Sequence, residues 1–296
     1  MKYAICTFLL VLTLCKNQAQ ELIPFHVDTL WGYKDKQGMV KIEPQFQYAA
    51  KFKSGVAIVA KNSKLGAINE DSQQIIPFSY EYLRQLDSSE FLFGSRTQYF
   101  GEYLIGVLTM DEKVKIPAIY SHISKVNNSY IVTTQKDSIL SKTSMGDVRS
   151  VQSYYGMFDI DGKVLIPSIY TYLTWANDSV LVVTKGRRHA NKALFNKQGV
   201  PLTGFEYMVF GEFIDGVAKA RIGDKFGFIF PTGKVAIPIN FEYCEDFNNG
   251  YALIKQGERW GAINIKGDIV IEPNKEYEVV KSELRLKYGS FKKSTI

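Results

Sequence analysis

Three histidines (His26, His122 and His189), the cysteine Cys244, and the carboxylates Asp111, Glu112, Glu206, Glu245 and Asp246 are the residues here best suited to acid/base, nucleophilic or metal chemistry. Their spacing supports none of it. The histidines are far apart, and the chain has no His-Glu-x-x-His, Gly-x-Ser-x-Gly, phosphate-loop or Gly-x-Gly-x-x-Gly sequence. Cys244 has no neighbouring histidine and reads as a small packed residue. Glycoside hydrolysis needs two carboxylates at a set separation across a cleft, and these acids are scattered along the chain. No catalytic residue, metal or cofactor is expected.

Binding chemistry has better material. Tyr99, Phe100, Tyr103 and Tyr154 lie in polar stretches, where aromatic rings offer contact area for a partner. The run Lys185-Gly186-Arg187-Arg188-His189 is the densest basic cluster, with Arg187 and Arg188 as candidate anion contacts, although a solvated hairpin tip is the simpler reading. One short cluster is not the basic stripe of a nucleic-acid binder, so no nucleic-acid partner is expected.

Repetition positions these residues. An aromatic or aliphatic residue followed by Gly recurs at Trp31-Gly32, Leu65-Gly66, Ile105-Gly106, Tyr155-Gly156, Phe226-Gly227 and Trp260-Gly261, with a degenerate copy at Lys192-Ala193. The period is about 34 residues at the ends and longer in the middle. Within the sixth copy, Phe226-Gly227-Phe228-Ile229 leads to Gly233, then Val235-Ala236-Ile237-Pro238, Phe241, Tyr243, Phe247 and Gly250-Tyr251-Ala252-Leu253-Ile254. The first copy repeats this from Trp31 to Val59. Such a copy reads as three short strands: A at the aromatic-Gly pair, B ending at Ile-Pro where proline removes a ladder donor, and C after a Phe-x-x-Gly turn. The Gly after the aromatic residue is expected to admit a close approach beneath a neighbouring ring. The extra length of the middle copies falls in the C-to-A connections, at 94–104, 133–154 and 185–191, and 133–154 is the leading candidate for a binding loop.

These copies resemble the WG repeat family, a bacterial β-rich repeat, over about residues 31–288. The resemblance implies the fold and transfers no catalytic residue. The fold class is therefore all-β: seven tandem three-stranded repeats, with a closed β-propeller favoured over an open β-solenoid. Closure is favoured because Leu284-Arg285-Leu286-Lys287-Tyr288 reads as a last C strand able to pair with the first A strand at Trp31. Trp31 and Trp260 read as packing residues, whereas Trp175 stands outside the repeated position.

Residues 1–20 carry Lys2, an apolar run from Ala4 to Cys15 and the small-residue exit Gln18-Ala19-Gln20, the pattern of a secretory signal peptide. Residues 21–30 form a lead-in, 31–288 the repeat domain and 289–296 a basic tail. With 46% apolar and 22% charged residues the chain has the composition of a folded protein. The function expected is that of an exported, non-enzymatic module at the periplasm, cell surface or exterior, binding a protein or peptide partner, with a glycan-binding role as the alternative and a central-channel hydrolase behind both. No transmembrane segment is expected in the mature chain.

Overall fold

A computed structural model describes residues 21–97, 102–143, 146–186 and 191–289, with side chains described outside 138–149. The expected signal peptide and, after Gly289, the tail lie outside the described residues.

The described residues form an all-β structure of seven small antiparallel sheets and one helix. Sheet one holds β1 (Ile23–Val27), β2 (Leu30–Lys34) and β3 (Val40–Phe46). Sheet two holds β4 (Tyr48–Ala49), β5 (Val56–Lys61), β6 (Lys64–Asn69) and β7 (Gln74–Tyr80). Sheet three holds β8 (Tyr82–Gln85), β9 (Glu90–Arg96), β10 (Tyr103–Thr109) and β11 (Val114–Tyr120). Sheet four follows with β12 (His122–Val126), β13 (Ser129–Thr143), β14 (Gly146–Asp159) and β15 (Val164–Tyr170). Sheet five has only β16 (Tyr172–Trp175), β17 (Val180–Lys185) and β18 (Asn191–Asn196). Sheet six holds β19 (Val209–Ile214), β20 (Val217–Ile222), β21 (Lys225–Ile229) and β22 (Val235–Phe241). Sheet seven holds β23 (Tyr243–Cys244), β24 (Tyr251–Gln256), β25 (Arg259–Asn264) and β26 (Ile269–Lys275), and α1 (Tyr277–Tyr288) follows it. The chain divides into two compact units, Met1–Val114 and Lys115–Ile296.

A sheet thus straddles two sequence copies, because strand C of one copy pairs with strand A of the next, which in turn pairs with its own strand B. Strand B also runs on past its proline, as in β3 across Pro44 and β22 across Pro238. It does so because it is the outer strand of its sheet and because the register slips there: Trp31 faces Phe46, but Tyr33 faces Ile42. An outer, irregular strand tolerates the missing donor. The slipped backbone explains the repeated glycine. A Cβ on Gly261 would stand 2.6 Å from the Ile271 carbonyl oxygen and 2.7 Å from Pro273 N, and one on Gly156 would stand 2.8 Å from the Ile166 oxygen and Ser168 N. The close approach is therefore made by backbone, with an aromatic ring added at Gly66, where Phe78 also comes near. In the fifth copy Ala193 replaces that glycine and Gly204 replaces the proline, and here strand B is reduced to the isolated bridges Lys192↔Tyr207 and Phe195↔Pro201.

Within each unit, alternate residues of an A strand face opposite neighbours. Ile68 packs toward sheet one and Ala67 toward sheet three; Phe195 packs toward sheet four and Leu194 toward sheet six; Ile263 packs toward sheet six. Two positions end the pattern. Where the other copies place buried Ile68, Leu108, Phe158, Phe195, Ile229 and Ile263, the first copy has the partly exposed Lys34, whose Nζ lies 5.4 Å from the Phe25 ring. On sheet seven, the face carrying Leu253, Ala262 and Ile271 is covered by Val280 and Leu284 of α1.

This corrects the reading of the chain ends. Residues 284–288 are helical, and the strand beside Trp31 is β1 from the lead-in, with His26 opposite Trp31. The alternation Leu284-Arg285-Leu286-Lys287 imitates a strand, but Val280 and Leu284 are one helical turn apart on the buried side while Leu286 is 87% exposed. Glu278 in the first turn and Arg285 and Lys287 in the last suit the helix dipole.

Candidate interaction surfaces

Of the residues singled out for partner binding, Tyr99, Phe100, Arg187 and Arg188 lie outside the described residues, as does His189. Tyr103 and Tyr154 belong to different units and are each held by their own neighbours. Tyr103, at the start of β10, lies opposite Arg96; its ring is 5.1 Å from Tyr82 and 5.8 Å from the Arg96 guanidinium. Glu81 accepts a hydrogen bond from the Arg96 backbone and another from Lys64, and these bonds hold its carboxyl below the usual range.

Tyr154 sits at the base of the longest hairpin. The stretch 133–154, expected to be a loop, is instead an extension of β13 and β14, paired from Ser129↔Asp159 to Thr143↔Gly146 with one irregularity between Ile139 and Ser141. Pairing of β13 with β12 runs to His122↔Thr133 and that of β14 with β15 to Tyr155↔Tyr170, so the remainder is a two-stranded ribbon carried past its sheet. A polar Ser/Thr/Lys/Asp composition suggested a loop, yet Thr-Thr and Ser-Ile-Leu-Ser stretches also suit a strand with two wet faces. At its base Ser168 Oγ donates to the Tyr154 carbonyl at 3.1 Å and lies 3.0 Å from Thr134 Oγ1, while Lys136 Nζ is 5.5 Å from the Tyr154 ring.

A second surface escaped the sequence reading. Phe226 of β21, Tyr243 of β23, Trp260 of β25 and Tyr277 of α1 form a continuous row, with ring centroids 5.3, 5.8 and 4.9 Å apart and interplanar angles of 61°, 71° and 70°. Edge-to-face contact of this kind is favourable beyond the area it buries. Cations line it: Arg221 lies 5.3 Å from the Phe226 ring, Lys219 5.9 Å from Tyr243 and Lys281 5.0 Å from Tyr277. Lys219 also pairs with Asp246 at 3.1 Å, and the Tyr277 hydroxyl donates to Glu245 at 2.8 Å. Trp31 and Trp260, read as packing residues, are half-buried and pack against the cores of sheets one and seven, while the neighbouring glycines and the residues after them are fully buried. The signal that was available is the half-period, at which Phe226, Tyr243, Trp260 and Tyr277 recur.

Cys244, Asp111, His26 and Trp175 each have structural employment. Burial pushes the Cys244 thiol up to about 12. Thr109 Oγ1 donates to Asp111, and that bond holds the Asp111 carboxyl below its ordinary range, as an anion. The His26 ring lies 5.0 Å from Trp31. Trp175 packs on the core between sheets four and five, and its buried Nε1 has no hydrogen-bond partner among the described residues. No group of His, Cys, Asp and Glu suited to a metal occurs among the described residues, and no described helix is long and apolar enough to cross a membrane.

The family model described as WG containing repeat matches residues 31–64, 226–260 and 260–281. No curated protein matches the chain by sequence. Among solved structures, the chain is similar to a eukaryotic initiation factor at 8% identity, covering 85% of this chain and 95% of that one with a TM-score of 0.25. It is similar to the AfRom2 CNH domain at 11% identity, covering 87% and 85% with a TM-score of 0.22. At these scores neither likeness bears on fold or function.

Proposed function

Because this chain belongs to the WG-repeat family, we propose that it works by binding and not by catalysis, as an exported protein at the cell envelope that holds an extended segment of a protein partner. The observation that carries the reading is the β13–β14 ribbon. Two strands alone in water are marginally stable, and a third strand added along an edge supplies main-chain hydrogen bonds that stabilise ribbon and guest together. Past the ends of β12 and β15 the ribbon has the length to offer such an edge, about 3.3 Å per residue. Lys136 and the irregularity at Ile139/Ser141 are the usual protections against indiscriminate edge pairing, which suits an edge reserved for one guest. The binding reading is further supported by carboxylates such as Asp111, Glu245 and Asp246, which are engaged with Thr109, Tyr277 and Lys219. It is the same for a closed propeller and an open solenoid, since the ribbon lies wholly within the second unit.

The test replaces residues 134–153 with an Asn-Gly turn and compares capture of envelope proteins by parent and variant. A partner held by the parent and released by the variant, at unchanged circular dichroism, supports the reading. Equal capture by both assigns the ribbon no part in binding.

A further inference from the structure

We propose that the aromatic row Phe226–Tyr243–Trp260–Tyr277 is a binding site for a neutral carbohydrate chain, separate from the ribbon. The row is carried by strands and a helix, so its rings are held in fixed relation. Tyr243 is its most open member at 41% exposure, and Phe226, Trp260 and Tyr277 are half-buried, each with part of its ring on the core and part at the surface. Aromatic surface takes the C–H face of a sugar ring, and what decides between possible guests is the polar surround.

Those neighbours are charge-balanced. Lys219 pairs with Asp246, Arg221 with Asp224, Lys225 with Glu242, Lys255 with Glu258 and Arg259 with Glu276. An anionic guest would have to compete with a carboxylate for each of these five cations, and Lys281 is occupied in donating to the Tyr277 hydroxyl. A hydroxyl both donates and accepts, so a neutral polyol can join Lys219–Asp246 or Tyr277–Glu245 without breaking either. A polyproline segment fits less well. Such peptides dock in grooves between aromatic rings, whereas neighbouring rings here touch edge to face and leave no slot. The row is complete only in the last two copies; Leu65, Ile105 and Lys192 interrupt the equivalent positions elsewhere. The structure therefore assigns one site and not a repeated one, and divergence among the other copies does not weaken it.

The experiment is native affinity electrophoresis of the mature chain in gels containing hydroxyethyl cellulose, laminarin or galactomannan, with polygalacturonate as the anionic comparison, at low and high salt. The expected result is retardation by at least one neutral polymer, insensitive to salt and weakened at least tenfold by Tyr243→Ala. Tyr243→Leu, which keeps apolar packing without a ring, serves if the alanine variant folds poorly and is expected to lose binding equally. The proposal is overturned if no neutral polymer retards the parent, if only polygalacturonate does so in a salt-sensitive way, or if both Tyr243 variants bind like the parent. Saturable, Tyr243-dependent quenching of tryptophan fluorescence by polyproline, without glycan binding, also overturns it. Replacement of residues 134–153 is expected to leave the retardation intact, which separates this site from the ribbon.

Discussion

At Gly261 a single hydrogen atom in place of a side chain lets the slipped strand β26 pass directly over β25. Gly261→Ala puts a methyl against the Ile271 oxygen and the Pro273 backbone, with no flexible side chain to yield. The expected cost is about 1–3 kcal/mol, the usual range for overpacking, read as a lower urea midpoint. The converse change, Ala193→Gly, removes a methyl where strand B is already reduced to bridges, and its effect on the midpoint is expected to be much smaller. Cys244 allows a test in pH. Burial raises its thiol to about 12, so the fold favours the neutral form. Its contribution to stability is full below the ordinary thiol value of about 8.5 and declines as pH climbs from there toward 12. In the native protein Cys244 is expected to resist iodoacetamide at pH 8 and to react promptly in denaturant; rapid native labelling would contradict its burial.

At the scale of elements, α1 and the β13–β14 ribbon make opposite contributions. The helix covers the apolar face of sheet seven, and Leu284→Asp places a charge against Leu253, Ala262 and Ile271. The expected outcome is a loss of several kcal/mol with binding of a hydrophobic dye, whereas Leu286→Asp, at a solvent-facing position of the same helix, is expected to change little. The described ribbon residues 134–137 and 150–153 are all half-buried or exposed, and removal of the ribbon is expected to leave the melting temperature within a few degrees of the parent. Both elements show where sequence patterns are ambiguous. Alternation over 284–288 resembled a strand because a short helical stretch with one outward leucine alternates too. The polar stretch 133–154 resembled a loop because its sequence lacks the apolar alternation by which a strand is recognised, although its backbone pairs as a ribbon.

Within each of the units Met1–Val114 and Lys115–Ile296, stability follows from nearest neighbours, since sheets one to three in the first and four to seven in the second bury faces against their neighbours in the same unit. Sheet five lacks its fourth strand, so hydrogen exchange is expected to be faster over 197–208 than over the equivalent 232–241 of sheet six. Equal protection would mean that the isolated bridges at Tyr207 and Pro201 suffice. The sequence by itself determined the repeat, the all-β class, the hairpin chemistry and the number of copies, because these follow from local periodicity and from glycine and proline placed at a fixed spacing. Only the tertiary structure decided that a sheet joins two copies, that the glycine lies beneath a slipped backbone, that β1 and α1 finish the terminal sheets, and that four rings at the half-period meet in one row. Each of these depends on which residues far apart in the chain share a strand edge or a face, and that is set by packing between elements and not by the pattern within any one of them.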